Sequence, residues 1–391
     1  MPVTSRRTDV AVIGLGAVGA AILYQLARRG VRVLGLDRFS PPHTQGSSHG
    51  ETRITREGVG EGEAYRPLVW ESHRIWRDLE ARTGEKLLTA CGLVLIAPAD
   101  GASLAHGRSD FVGRSAAAAR AGGIAHEVID AAELARRFPH FAGLRGGEQA
   151  YLEPGGGYVA PERCIAAQLR LAAAHGAEIR TDAPVRALRP EAAGVRVETD
   201  AGAVTADRVV VAAGAWLGPL LGPPFDALLT VNRQVLHWFP VDPGAPFPAR
   251  APAFIWIAPS PGVDFLYGFP PLPGEARVKL GTEQFVRPSR AEEARAADPA
   301  EAEAFYASHV AGRLAGVAPG AVASAACLYT VTPDRDFLID DHPESDRILA
   351  VSACSGHGFK HSAGLGAALA ERLVTGRSPV DLAPFGLARF R

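Results

Sequence analysis

Residues 9–37 constrain the architecture of this 391-residue chain more tightly than any other segment. The apolar run DVAVI (9–13) reads as a buried strand. A GxGxxG turn follows, with Gly14, Gly16 and Gly19 at its three fixed positions. Helical periodicity then runs over 17–29, Gly30 suits a helix C-cap, and 31–36 is a second strand ending at Asp37. In such a unit the first glycine permits the tight turn, the second lets backbone approach a pyrophosphate, and the third lets helix and strand pack closely. The helix N-terminus turns free N–H groups toward the phosphates. Asp37 stands 18 residues after Gly19, near the roughly 20 expected of a ribose-binding acid. A Rossmann-type dinucleotide site is expected, with Ala17, Val18 and Arg38 beside these residues.

The motif alone does not separate FAD from NAD. Two later segments favour FAD. The run DRVVVAAGAW (207–216) is a buried strand that brings Ala213, Gly214 and Trp216 against a dinucleotide. A strand-turn-helix over 348–373 presents Gly356, His357, Gly358 and Phe359 in its turn, where a helix N-terminus would meet the flavin ring. Between these signals, helices are expected at 65–83, 115–122, 163–175 and 290–315. A strand is expected at 87–97, and strands dominate 232–285. Signals at the start, middle and end of the chain imply a discontinuous cofactor domain (1–87, 151–226 and 327–391). A second, antiparallel-sheet domain (88–150 and 227–326) would carry the substrate. The fold class is α/β in the first domain and α+β overall.

Composition narrows the partners. There are 41 basic and 42 acidic residues, a net charge of -1, which supports neither a nucleic-acid nor a membrane partner. The longest apolar run, 209–221, is interrupted by Gly214, Gly218 and Pro219; it falls short of the ~20 residues that span a bilayer. With no signal-peptide core at the N-terminus, a cytoplasmic location is expected. Cys91, Cys164, Cys327 and Cys354 form no CxxC pair, so no metal site is expected. Only Lys86, Lys279 and Lys360 are lysines, and the other 38 basic residues are arginines. A lysine kept in so arginine-rich a chain suggests a task for a compact ammonium.

Several segments together resemble the monomeric sarcosine oxidase and N-methyltryptophan oxidase family. They are PPHTQGSSHGETRITREGVGEGEAYRPLV, the pair YGFP and VKLG, CLYTVTPDRDFLID, and SGHGFK. The C-terminal tail and the segment FIWI around Trp256 lean toward the N-methyltryptophan oxidases. The resemblance spans 9 to the end and implies an FAD-dependent oxidase of N-methyl amino acids that uses dioxygen and makes hydrogen peroxide. It implies a monomer with FAD joined covalently to Cys327, in place of the inert buried thiol that a lone cysteine usually is. It places Arg53 and His49 at the flavin, with Ser47, Thr52 and Val185 among the cofactor contacts. It places Arg56 and Lys360 on the substrate carboxylate, Lys360 also touching the cofactor. Lys279 is implied in oxygen reduction, and Tyr267 and Tyr329 are implied as active-site tyrosines.

One departure bears on the substrate. Glu283 stands where the sarcosine-specific enzymes carry a histidine, four residues after the lysine. An acid there would repel a second carboxylate or recruit a cation. Cyclic imino acids and glycated amino acids therefore stay open as substrates, as does an electron acceptor other than oxygen.

Overall fold

The computed structural model describes residues 7–258, 264–293 and 296–391. The strand Arg7–Ile13 lies inside an eight-stranded sheet. It pairs in parallel with Val33–Leu36 on one side and with Gly202–Val211 on the other. Ser345–Ser352 and Glu178–Arg180 extend the parallel array. The strands are nearly continuous apolar runs because both faces are covered. Val10, Val12, Val210, Leu349 and Val351 face a layer containing the helices Ala17–Ala27, Arg66–Thr83, Pro161–Ala174 and Ser362–Thr375. Ala11, Ile13, Val209, Val211 and Ala350 face an opposite layer with Val195, Val197, Leu217 and Phe225. The two-residue alternation of a strand thus feeds two cores.

A second eight-stranded sheet runs in the order Ala323–Val331, Thr230–Pro240, Arg277–Gly281, Asp264–Gly268, Ala253–Ala258, Leu93–Pro98, Glu148–Glu153, Glu127–Asp130. All its pairings are antiparallel except that of Ala253–Ala258 with Leu93–Pro98. Trp256, Phe254, Phe239 and Phe141 build a core on one side. A small sheet of Arg53–Thr55, Gly157–Val159 and Leu88–Thr89 stands apart from both.

Several expectations are corrected. The strand expected at 87–97 is two strands in different sheets, separated where Gly92 takes φ +88°. The helix expected at 115–122 begins at Phe111, capped by the Asp110 carboxylate, which accepts from the Gly113 N–H. The helix expected at 290–315 is only Pro299–Phe305, opened by an Asp298/Glu301 capping box and continued by one wide turn, Tyr306–Val310. That range includes 294–295, and the strand-rich range 232–285 includes 259–263; both lie outside the described residues. The first helix stops at Ala27, and Gly30 takes φ +77° in the turn beyond it. Leu338–His342, antiparallel to Ser345–Ser352, was not expected. The expected divisions at 150/151 and 326/327 fall inside strands of the second sheet. Among the described residues no helix is long and apolar enough to cross a membrane.

Candidate active site

A long cleft opens at the C-terminal ends of the parallel strands. Gly14, Gly16, Ala17, Val18, Asp37, Arg38 and Val185 line one part of it. Ser47, Arg53, Ala213, Gly214, Trp216, Gly356, Gly358 and Phe359 line the rest. The glycines divide their work as the motif requires. Gly14 takes φ +86°, and a Cβ there would meet the Ala212 carbonyl at 2.6 Å. A Cβ on Gly19 would fall 1.7 Å from the Gly14 carbonyl, so Gly19 serves the turn and does not line the cleft. A Cβ on Gly16 would meet only Ser48 Oγ, at 3.8 Å; the backbone there is open for a phosphate to approach. Asp37 accepts from the Leu15 N–H at 2.6 Å and the Phe39 N–H at 2.8 Å. These bonds fix the carboxylate at the cleft wall with acceptor capacity left for a ribose hydroxyl. The cradle fits a dinucleotide such as FAD.

A smaller cavity of about 80 Å³ adjoins this cleft, and Arg53, Tyr329, Gly356 and Phe359 border both. The turn 353–358 makes the junction. Gly356 takes φ +85°, and a Cβ on Gly358 would overlap the Ala353 carbonyl at 1.8 Å. The far wall is cationic. Arg56 Nη2 lies 3.1 Å from each Glu61 oxygen, and Lys360 Nζ lies 2.7 Å from Glu61 Oε1. All three side chains are buried. Burial alone would raise the Glu61 carboxyl, but Arg56 and Lys360 hold it well below the usual range. Burial lowers Lys360 to about 8, against the pull of Glu61. Two cations and one anion leave one unmatched positive charge, a place for a ligand carboxylate.

Carboxylates also fix the loop that carries the two arginines. Glu162 accepts from the N–H groups of Gly50 at 2.6 Å and Glu51 at 3.1 Å. Glu153 accepts from those of Glu57 at 2.7 Å and Gly58 at 2.9 Å. Arg53 opens a short strand rather than a helix, and donates to the carbonyls of Thr52 at 2.9 Å and Ser47 at 2.8 Å. Lys279 is buried beside this loop and donates to the carbonyls of Gly50 at 2.7 Å and Thr52 at 2.6 Å, its ammonium 4.2 Å from the centre of the Phe269 ring. Burial, then Arg53, push that ammonium well below its usual range.

The expected residues therefore divide. Arg56, Tyr267, Glu283, Cys327, Tyr329, His357 and Lys360 meet in the small cavity. Cys327, His357 and Lys360, expected among the cofactor contacts, do not line the long cleft. Lys279, Thr52 and Gly19 line neither space, and His49 lines a third opening with Arg38 and Trp216. Burial, then Arg53, lower His49 to about 4, so its ring is neutral. Burial raises the Cys327 thiol although Arg53 and Lys279 oppose it. Trp256 faces the core, whereas its neighbour Ile255 lines the cavity.

Glu61, His106, Glu153 and Glu162 were not singled out from the sequence. His106 lies in the cavity wall with its Nδ1 3.7 Å from Glu283 Oε2. Burial, then His357, push it well below the usual imidazole value. Glu61, His357 and His361 bring ligand atoms within 4.8 Å of one another. The two cations on Glu61 oppose a metal ion there.

The family model for FAD dependent oxidoreductases matches residues 9–372. The chain is 34% identical to monomeric sarcosine oxidase of Bacillus sp. (strain B-0618), covering 98% of this chain and 97% of that protein. It is 35% identical to N-methyl-L-tryptophan oxidase of Yersinia pestis (strain Pestoides F), covering 98% and 99%. Among solved structures, NikD, described as an unusual amino acid oxidase essential for nikkomycin biosynthesis, matches in its open form with a TM-score of 0.81 at 26% identity, covering 98% of each chain.

Proposed function

The chain belongs to the FAD dependent oxidoreductase family, and on that premise we propose that it oxidises N-methyl amino acids or related small secondary amines. The products are the amino acid, formaldehyde and hydrogen peroxide, with dioxygen as electron acceptor and water consumed. The observation that carries this reading is the small cavity with buried cations in its wall, abutting the dinucleotide cleft. Arg56 and Lys360 would take the substrate carboxylate, which fixes the rest of a small amino acid toward Tyr329 and Gly356, where cavity and cleft meet. Catalysis then begins as positioning. FAD supplies the two-electron chemistry.

The other residues serve that arrangement. Tyr267 and Tyr329 line the cavity, Tyr329 at its junction with the cleft, where they would pack against the substrate. The sulfur of Cys327, in the cavity wall, would hold FAD covalently. Arg53 sets a fixed positive charge at the junction, and Lys279 holds another behind it where reduced oxygen species gain negative charge. The size of the cavity favours a small substrate: about 80 Å³ compares with the ~10–15 Å³ that holds one water.

A panel of N-methyl amino acids, cyclic imino acids and glycated amino acids, assayed for peroxide with the purified protein, tests the reading. Small N-methyl amino acids should be the best substrates. Protein purified without flavin, or oxidation of none of these amines, would refute it. Turnover with an artificial acceptor but no peroxide would remove the role of dioxygen.

A further inference from the structure

Glu283 is a buried carboxyl without a close partner among the described residues. Among the described residues its polar contacts are long. The Tyr329 hydroxyl lies 3.4 Å from Oε1, and His106 Nδ1 lies 3.7 Å from Oε2. Among the described residues that His106 nitrogen has no hydrogen-bond partner. A buried, poorly paired polar group is costly unless a ligand completes it. Glu283 is also well placed to meet one. A Cβ on Gly356 would lie 3.0 Å from Glu283 Oε1 and 3.0 Å from the Tyr329 ring. Gly356 and Tyr329 are where cavity and cleft join. Glu283 thus stands in the same small cavity as the carboxylate-binding cations, beside the place where the reacting end of the substrate must lie.

Charge counting gives the ligand. Arg56, Lys360 and Glu61 together accommodate one carboxylate, and Arg53, the further cation in the lining, is held at the junction with the cleft by the carbonyls of Thr52 and Ser47. An amino acid also brings an ammonium, and Glu283 is the cavity's remaining acid. We infer that Glu283 takes the proton from the substrate's ammonium, so that the cavity selects a carboxylate paired with a protonated amine. The inference rests on the proposed amine-oxidising function. Below the value near 8 the resting Glu283 already carries a proton, so binding first sends that proton to solvent; the N–H bond of the ammonium then breaks and an O–H bond forms on the freed Glu283 oxygen, leaving a neutral amine and a neutral carboxylic acid. The lone pair freed on nitrogen is what the departure of the adjacent C–H hydride requires. In a buried site the neutral pair is favoured over the ion pair because neither partner is then charged.

The groups facing Glu283 are consistent with this. Burial raises its carboxyl to about 8, against the opposing effects of Arg335, Lys360 and the Tyr329 hydroxyl and with a further push from Glu61. His106 and His357 are held neutral by burial, so neither competes for the proton near neutral pH.

The test counts protons by calorimetry on the holoenzyme, in buffers of different ionisation enthalpy. Two ligands of one shape are compared: 2-aminoisobutyrate, which has no C–H beside nitrogen to oxidise, and pivalate, in which a methyl replaces the ammonium. At about pH 6.5, below the values near 8 for Glu283 and Lys360, free Glu283 and the free ammonium each carry a proton, and the complex holds one between them. Binding 2-aminoisobutyrate should therefore release about one proton, and binding pivalate none. Glu283→Gln matches the resting neutral form in shape; it should bind both acids and release no proton with either. Release that persists in Glu283→Gln, or none in the wild type with 2-aminoisobutyrate, would overturn the assignment. If neither acid binds, the carboxylate site itself is wrong, and both the proposed function and this inference fall.

Discussion

Replacing Glu61 by glutamine should destabilise the free protein and strengthen its hold on carboxylates. The side chain is buried, with Arg56 Nη2 at 3.1 Å from both oxygens and Lys360 Nζ at 2.7 Å from one. Glutamine keeps the shape and removes the charge, which leaves two buried cations without an anion. Breaking a buried pair in this way costs ~3–5 kcal/mol. At roughly 2.1 cal/mol/K per residue, 391 residues give about 1.2 °C per kcal/mol, so the melting temperature should fall by about 4–6 °C. In the wild type an incoming carboxylate shares its cations with Glu61; in the variant it does not. Pivalate should then bind at least about tenfold tighter, or ~1.4 kcal/mol, and at 100 times its Kd should restore ~2.7 kcal/mol of stability. Melting followed by circular dichroism, with and without pivalate, measures both effects. The pH dependence has a definite sign. The Glu61 carboxyl is held well below its ordinary 4.5, so its contribution is present above the unfolded value and disappears as pH falls through the folded one. The wild-type and variant curves should converge in acid. Equal melting temperatures at neutral pH, with equal pivalate affinity, would show that Glu61 does not balance these cations.

Gly16→Ala should fold but lose flavin, because its added methyl meets nothing closer than Ser48 Oγ at 3.8 Å and borders the cleft; Gly14→Ala, at φ +86° and 2.6 Å from a carbonyl, should fail to accumulate as folded protein. The absorbance ratio of flavin to protein, beside the melting curve, separates the two outcomes, and full flavin content in Gly16→Ala would refute the phosphate role. Acid-precipitated wild type should stay yellow and Cys327→Ser should release its colour; free flavin in the wild-type supernatant would exclude the covalent link. Lys279→Met should slow reoxidation by oxygen about 100-fold or more, the scale of a lost electrostatic donor, while reduction by substrate changes far less. Stopped-flow measurement of the two half-reactions checks this, and equal slowing of both would dismiss the assigned role.

The legible part of this molecule was the part whose causes lie close together in the chain. Gly14, Gly16, Gly19 and Asp37 form one strand-turn-helix-strand unit, and spacing alone revealed them. The apolar runs at 9–13 and 209–213 disclosed buried strands, because a strand covered on both faces needs no polar alternation. Sites assembled across the fold were legible only where a family pattern named one member. Arg56 and Lys360 were reached in that way, yet Glu61, which sits between them, was not, since an acid in a glycine-rich loop looks solvated until Lys360 reaches it from the turn before the helix Ser362–Thr375. His106 belongs to no periodic segment and meets Glu283 only through tertiary packing. Lys279 stood out as one of three lysines, but its acceptors are the carbonyls of Gly50 and Thr52, which every residue type possesses and no sequence distinguishes. The residues that hold the arginine loop share this difficulty: Glu153 and Glu162 bind backbone N–H groups. A departure from a family pattern can therefore be more informative than agreement with it. Glu283 drew attention as a mismatch, and the structure gives the mismatch a physical setting, a carboxyl with long contacts beside the one place in the cavity where an amine would need to lose a proton.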